Sequence, residues 1–182
     1  MSLTFPISVS EDIAIRLAGA ADSKTLFGLV ERNRLRLGRH LPWVERTIST
    51  RQVSAFLRIA SRQHAAGDGF HACIEVAGQL VGMIGLHPID WLNRSVALGY
   101  WIDHGCQGRG VVTACCREVV RICFEHYDLH RVEIRCATTN RRSCAVARRL
   151  GFRREGVLRG AHLVGGRYLD MVVYGKLKGS TA

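Results

Sequence analysis

The residues best placed by type and spacing to do chemistry are Gln107-Gly108-Arg109-Gly110 and the three that follow, Val111, Val112 and Thr113. They stand where a strand-like run ends and a helix-like run begins. At such a junction the unpaired N–H groups of the first helical turn and the positive end of its dipole converge, which suits an anion, phosphate above all. Glycine at 108 and 110 lets main-chain amides approach a phosphate with no Cβ in the way, and Arg109 adds positive charge. An ordinary strand-to-helix connection also favours glycine and arginine, so the turn by itself leaves both readings open. Its spacing is neither the dinucleotide fingerprint G-x-G-x-x-G nor the nucleoside-triphosphate loop G-x-x-x-x-G-K-[ST].

The elements that must position this turn follow from hydrophobic period. Ile13 to Leu17 alternates as a short strand, and Asp22 is placed to cap a helix carrying Leu26, Leu29, Val30, Asn33 and Leu37. After a loop at Leu41-Pro42-Trp43, the capping box Ser49-x-x-Gln52 precedes Val53, Phe56, Leu57 and Ala60, a second helix ending near Gly67. Phe70, Ala72, Ile74 and Val76 then alternate, Ala77-Gly78 turns, and Leu80 to Leu86 returns as a hairpin partner. Ser95 to Ile102 is the strand that delivers the chain to the glycine turn. Val111, Cys115, Val119 and Ile122 mark the helix beyond it, to about His126. Arg131 to Ala137 reads as strand, Ser143 to Leu150 as helix, and Phe152 to Leu158 and Tyr168 to Leu177 as two last strands. The order βααβββαβαββ predicts an α+β fold, a mixed sheet with helices on both faces, in one domain over residues 1–182.

Bulk properties narrow the function classes. A chain of 182 residues, 47% hydrophobic and 23% charged, is neither disordered nor a membrane protein, and no apolar run reaches the roughly 18 residues a span needs. No basic leader followed by an apolar stretch opens the sequence, so the expected compartment is the cytoplasm. Seven cysteines, an odd number without C-x2-C pairs, give no metal site and read as small buried hydrophobes. The net charge of +11 favours an anionic partner without choosing among a phosphorylated ligand, an acidic protein and nucleic acid. A basic nucleic-acid-binding protein is the alternative of another class, although no reader motif is present.

The turn fits the Q-x-x-G-x-G/A motif, with Gln107 and Gly110 in place and Val112 where glycine or alanine is usual. Leu98-Gly99-Tyr100-Trp101-Ile102-Asp103 upstream, Asn140-Arg141-Arg142-Ser143 downstream, Leu150-Gly151-Phe152 with Glu155-Gly156, and Leu41-Pro42-Trp43 extend the pattern. Together, from about Ile13 to Leu177, they resemble the GNAT acetyltransferase superfamily, and within it the Rim-type N-terminal acetyltransferases of ribosomal proteins. The resemblance implies a mostly antiparallel sheet with a splayed central strand and acetyl-CoA as co-substrate. By the same resemblance the amides of Gln107 to Thr113 hold the CoA diphosphate, the main chain of Trp101 and Ile102 pairs with the pantetheine arm, and Asn140 and Ser143 flank the thioester.

The roles in acyl transfer follow from that. The amine must be neutral, the carbonyl polarised and the thiolate protonated as it leaves. Ser143 is the expected proton donor, with an N-cap serine as the plain structural alternative. Many relatives carry a glutamate before the L-G-Y-W segment, where this chain has Ala97. His162, in the arm after Glu155-Gly156, is the expected base, and a packing histidine is the alternative. Glu133 and Glu155 read as ion-pair partners of the arginines. Trp43, Trp91 and Trp101 could line an acceptor pocket, although Trp101 suits the core better. The expected partners are acetyl-CoA and an acidic protein or peptide acceptor, a ribosomal protein foremost, with a homodimer allowed for and no membrane partner. A small amine such as a polyamine or antibiotic is the alternative acceptor, and a CoA-binding sensor without turnover is the alternative without chemistry.

Overall fold

The computed structural model describes residues 3–180. Eight strands form one open sheet: β1 (Ile7–Ser8), β2 (Ile13–Leu17), β3 (His71–Val76), β4 (Gln79–Leu86), β5 (Ser95–Ile102), β6 (Arg131–Ala137), β7 (Arg153–Val164) and β8 (Arg167–Leu177). Their spatial order is β1-β2-β3-β4-β5-β6-β8-β7, antiparallel throughout except for β5 with β6. That parallel pair joins only Ser95–Ala97 to Arg131–Glu133, after which the two strands diverge. The sheet is therefore split at its centre, as a splayed central strand requires.

Five α-helices cover it: α1 (Ser23–Leu37), α2 (Trp43–Arg46), α3 (Thr50–Ala65), α4 (Val111–Glu125) and α5 (Arg141–Arg149). Alternation along the strands divides the core in two. Ile15, Ala72, Ile74, Ile84, Leu98 and Ile134 pack under Val111, Cys115, Val119 and Ala147 of α4 and α5. Cys73, Met83 and Trp101 point the other way, into Leu26, Leu29, Val53 and Leu57 of α1 and α3. The buried set of α1, Leu26, Leu29, Val30, Asn33 and Leu37, is the one its helical period predicts.

Several elements differ from expectation, each for a local reason. Asp22 stands at the N-cap of α1 but makes no capping bond, because Arg16 donates to it at 2.7 and 2.8 Å and the N–H of Gly19 at 2.8 Å. The capping box at Ser49 is displaced: Gln52 Oε1 accepts from the Ser49 hydroxyl (2.7 Å) and from the N–H of Ile48 (3.1 Å). Pro42, with φ of −66°, starts the short helix α2 where a loop is expected. Helix α5 begins at Arg141 and not Ser143, since Asn140 is its cap. Strand β7 runs to Val164, past the expected end at Leu158, because Gly160 at φ 58° sits in a register irregularity between Leu158 and His162 and the pairing resumes beyond it.

Candidate active site

The glycine turn forms as its sequence predicts. Gly108 and Gly110 have φ of 79° and 78°, a left-handed conformation that a Cβ would strain, and α4 starts directly at Val111. The first main-chain donor of the helix to be satisfied is Ala114, whose N–H reaches Gly110 at 2.9 Å. No acceptor among the described residues takes the N–H groups from Gly108 to Thr113. Six consecutive donors at the positive end of a 15-residue helix form a turn suited to an anion. The Thr113 hydroxyl accepts from Arg149 Nη1 at 3.0 Å, so Thr113 offers its main chain, and Arg149 brings positive charge close by.

Helix α1 holds the approach to this turn. Buried Asn33 donates to Asp103 (2.6 Å) and accepts from the N–H of His104 (3.0 Å), while Arg36 donates to the Ile102 carbonyl. Burial would raise the Asp103 carboxyl, but its bonds to Asn33 and Arg32 more than offset that and hold it below the ordinary carboxylate range. Asn33 thus sits on an otherwise apolar helix face to bind the strand-to-helix junction, and both ends of its amide are satisfied.

The split between β5 and β6 opens into a cavity of about 920 Å³. Which main-chain groups face the split follows from parity. The Ala97 carbonyl accepts from His87 N–H at 2.9 Å and Asp103 N–H donates to Val81 at 2.6 Å, so residues 97, 99, 101 and 103 turn their main chain to β4. Leu98, Tyr100 and Ile102 turn theirs to the gap. Of the two residues expected to pair with an extended ligand, Ile102 faces the gap with its carbonyl already occupied by Arg36, and Trp101 faces away. The Leu98 carbonyl and the main chain of Tyr100 are the free edge, because the pairing of Ala97 with Glu133 ties the Leu98 N–H to β6.

Across the gap, Asn140 Oδ1 accepts from the Ser143 N–H at 3.2 Å, which makes Asn140 the cap and releases the Ser143 hydroxyl from that duty. Ser143 Oγ lies 2.9 Å from the Tyr100 hydroxyl, and both line the cavity. Burial raises the Tyr100 phenol far above its ordinary value, so the pair carries protons and no charge. Cys136 also lines the cavity, 3.5 Å from the Cys144 sulfur, and burial pushes its thiol up to about 12. It stays a thiol and is a poor nucleophile.

The opposite face of the sheet forms the other half of the cavity. His162 lies there, its Nε2 donating to the His40 carbonyl at 3.0 Å, which leaves Nδ1 as the nitrogen with the lone pair. Burial, with Arg39 and His162 nearby, lowers the pKa of His40. Trp43 and Trp101 pack 6.0 Å apart on this side, whereas Trp91 stacks edge-on to Tyr127 outside the cavity. Glu155 pairs with Arg131 and also lies outside it. Glu133 lines it, bound by Arg131 (2.8 Å) and Arg135 (2.7 Å). Phe56, expected in the core, is 38% exposed and meets His71 edge-on at 5.0 Å on the cavity wall. Sequence reasoning missed Tyr100, His71 and His87 as site residues. For Tyr100 a signal existed, since alternation with Trp101 turns its side chain toward the helix that carries Ser143.

An acetyltransferase (GNAT) domain model matches residues 12–153. The chain is similar to a putative ribosomal N-acetyltransferase of Bacillus subtilis, 38% identical over 96% of both chains, and to the ribosomal-protein-serine acetyltransferase of Escherichia coli, 27% identical over 96% of this chain and 98% of the other. Among solved structures, the ribosomal L7/L12 α-N-protein acetyltransferase RimL in complex with coenzyme A superimposes with a TM-score of 0.93 at 25% identity, covering 97% of this chain and all of the other.

Proposed function

The chain belongs to the GNAT family of acetyltransferases and uses acetyl-CoA to acetylate an amine, and on that premise we propose the acceptor: the N-terminal α-amino group of a ribosomal protein. The observation that carries the site assignment is the continuity of three features. The nest at 108–113, the free edge at Leu98 and Tyr100, and the Ser143–Tyr100 hydroxyl pair lie in order along one split sheet. In this reading the diphosphate binds the nest, the pantetheine arm follows β5, and the thioester stops beside the hydroxyls.

The amine attacks the thioester carbon directly, forming the C–N bond as the C–S bond breaks. A proton from Ser143, which is hydrogen-bonded to Tyr100, meets the departing sulfur, since a thiolate leaves more readily when protonated, and the hydroxyl pair regains a proton from water as the products leave. Direct attack is favoured over an acyl-cysteine because the cysteine lining the cavity there, Cys136, is held as a thiol.

Two features support a protein terminus. The names of both relatives refer to ribosomal proteins. An α-amine also has a pKa of about 8, so a useful share is neutral near pH 7 without a strong base, whereas a lysine at about 10.4 would demand one. The charge of +11 favours an acidic acceptor surface, and the cavity suits a polycation poorly because its acids are Asp90 and the arginine-bound Glu133. Homodimerisation through edge strand β7, where Leu158 and Leu163 are exposed, and a cytoplasmic location complete the proposal. No helix among the described residues is long and apolar enough to cross a membrane.

Intact-mass analysis of ribosomal proteins and a panel of small amines, each incubated with enzyme and acetyl-CoA, tests the assignment. One added acetyl group on a protein N-terminus is expected. Efficient acetylation of spermidine or an aminoglycoside with unmodified protein termini would overturn it.

A further inference from the structure

The sheet brackets Ala97 of β5 with two ionisable residues. Register places Leu86 opposite Leu98, and the His87 N–H reaches the Ala97 carbonyl at 2.9 Å, so His87 stands directly across from Ala97 on one side. Glu133 is the parallel partner of Ala97 on the other. Residues so paired project to the same face, and all three line the cavity opposite the Ser143–Tyr100 pair. One row further along, His71, Gly85 and Gly99 are cross-strand partners. The two glycines make a depression in which two imidazoles lie. A Cβ at residue 85 would stand 2.4 Å from His71 Nδ1, and one at 99 would stand 3.5 Å from His87 Nε2. Gly99 lies between Leu98 and Tyr100, the residues whose main chain faces the gap, so His87 Nε2 overhangs the place where the amine meets the thioester.

We propose that His87 is the catalytic base, taking up through Nε2 the proton that the acceptor nitrogen sheds as the C–N bond forms. The proposal rests on the acetyl-transfer reading above. The nitrogen lone pair bonds to the carbonyl carbon, the C–S electron pair leaves with sulfur, sulfur takes a proton from the Ser143–Tyr100 pair, and the excess proton on nitrogen passes to His87. His87 is exposed and can hand that proton to water. Neither of its ring nitrogens has a hydrogen-bond partner among the described residues, in contrast to His162, whose Nε2 is engaged by the His40 carbonyl.

The other ionisable groups of the cavity fit less well. Glu133 would be raised by burial, but Arg131 and Arg135 reverse this and depress it, making it a weak base. His71 on β3 is lowered to about 4, by burial first and by His87 second, and stays neutral behind it. Asp90 lies on the loop that follows His87, and Arg135 on β6 is bound to Glu133. Helix α3 contributes Phe56 and Gln52 to the cavity and no charge.

The test is the pH dependence of kcat/KM with acetyl-CoA and a synthetic peptide bearing a free N-terminal serine, for the wild type, His87→Gln and His162→Gln. Calorimetric CoA affinity reports that each variant is folded. For the wild type the logarithm should fall with slope one below the amine pKa of about 8, and with slope two at lower pH, where the base must lose a proton as well. His87→Gln should lose roughly 100-fold in rate and the second-order limb, with CoA affinity unchanged. His162→Gln should keep that limb. In His87→Gly, added imidazole should restore part of the rate. Retention of the steep limb in His87→Gln, or its loss in His162→Gln, overturns the proposal. A wild type that binds CoA yet acetylates no amine would refute the acetyl-transfer reading instead.

Discussion

The two halves of the cleft are built in different ways. The side proposed for the diphosphate is one contiguous string, residues 108–113, whose available groups are main-chain N–H donors. The side proposed for the amine is assembled from side chains on α2, α3, β3, β6, β7 and the loop after β4, brought together by the sheet. A main-chain site needs a conformation, and glycine at two positions supplies it. A side-chain site needs particular functional groups at points far apart in the chain, so it changes by single substitutions while the fold persists.

The contrast can be broken most severely at Gly110. Gly110→Glu puts a Cβ at φ 78° and a carboxylate where the diphosphate binds, so CoA affinity should fall below calorimetric detection while the circular dichroism of the fold survives. Unchanged affinity in a folded variant would remove the nest as the cradle. Ser143→Ala comes next. It should cost about 100-fold in kcat with CoA affinity nearly intact, because a proton donor acts in the transition state. Equal losses in affinity and rate would make Ser143 a binding residue.

A smaller effect concerns stability on the amine side. Folding lowers His71 from 6.5 to about 4, so between those values the unfolded chain binds the proton first and the folded state loses stability as pH falls. At about 1.4 kcal/mol per pH unit, urea denaturation should show the wild type losing about 2 kcal/mol more than His71→Leu between about pH 6.5 and pH 5. Equal losses would mean that His71 ionises freely. The smallest effect belongs to Arg109→Ala. An exposed cation beside a main-chain nest should alter CoA affinity only a few-fold, and less at high salt. A loss as large as that of Gly110→Glu would show that the side chain, and not the main chain, does the binding.

What the sequence revealed follows the same division. Strands β2, β5 and β6 and the buried face of α1 came from hydrophobic period alone, because each has one face in the core and the period reports it directly. The turn before α4 was legible because glycine, glycine and a helix start lie within seven residues. Asp22 misled because a carboxylate before a helix signals a cap, and nothing local says that Arg16 will claim it. Phe56 misled for a similar reason: at helical spacing it counts as core, and only the tertiary position of α3 turns it onto the cavity wall. The His87–Ala97–Glu133 row could not be read at all, since the three residues are joined by strand register.

Strand β5 carries both halves at once. Its even-numbered residues, Leu98 and Tyr100, give main chain to the gap, while Ala97 and Gly99 present their faces to the amine side. In the proposed reading, recognition of the acyl donor and of the acceptor is therefore interleaved residue by residue, with separate atoms serving each. Substitutions at the odd positions leave the main-chain donors of the even ones in place. A side chain at 97 or 99 can thus be exchanged on the one side of β5 while the backbone that faces the gap keeps its course on the other.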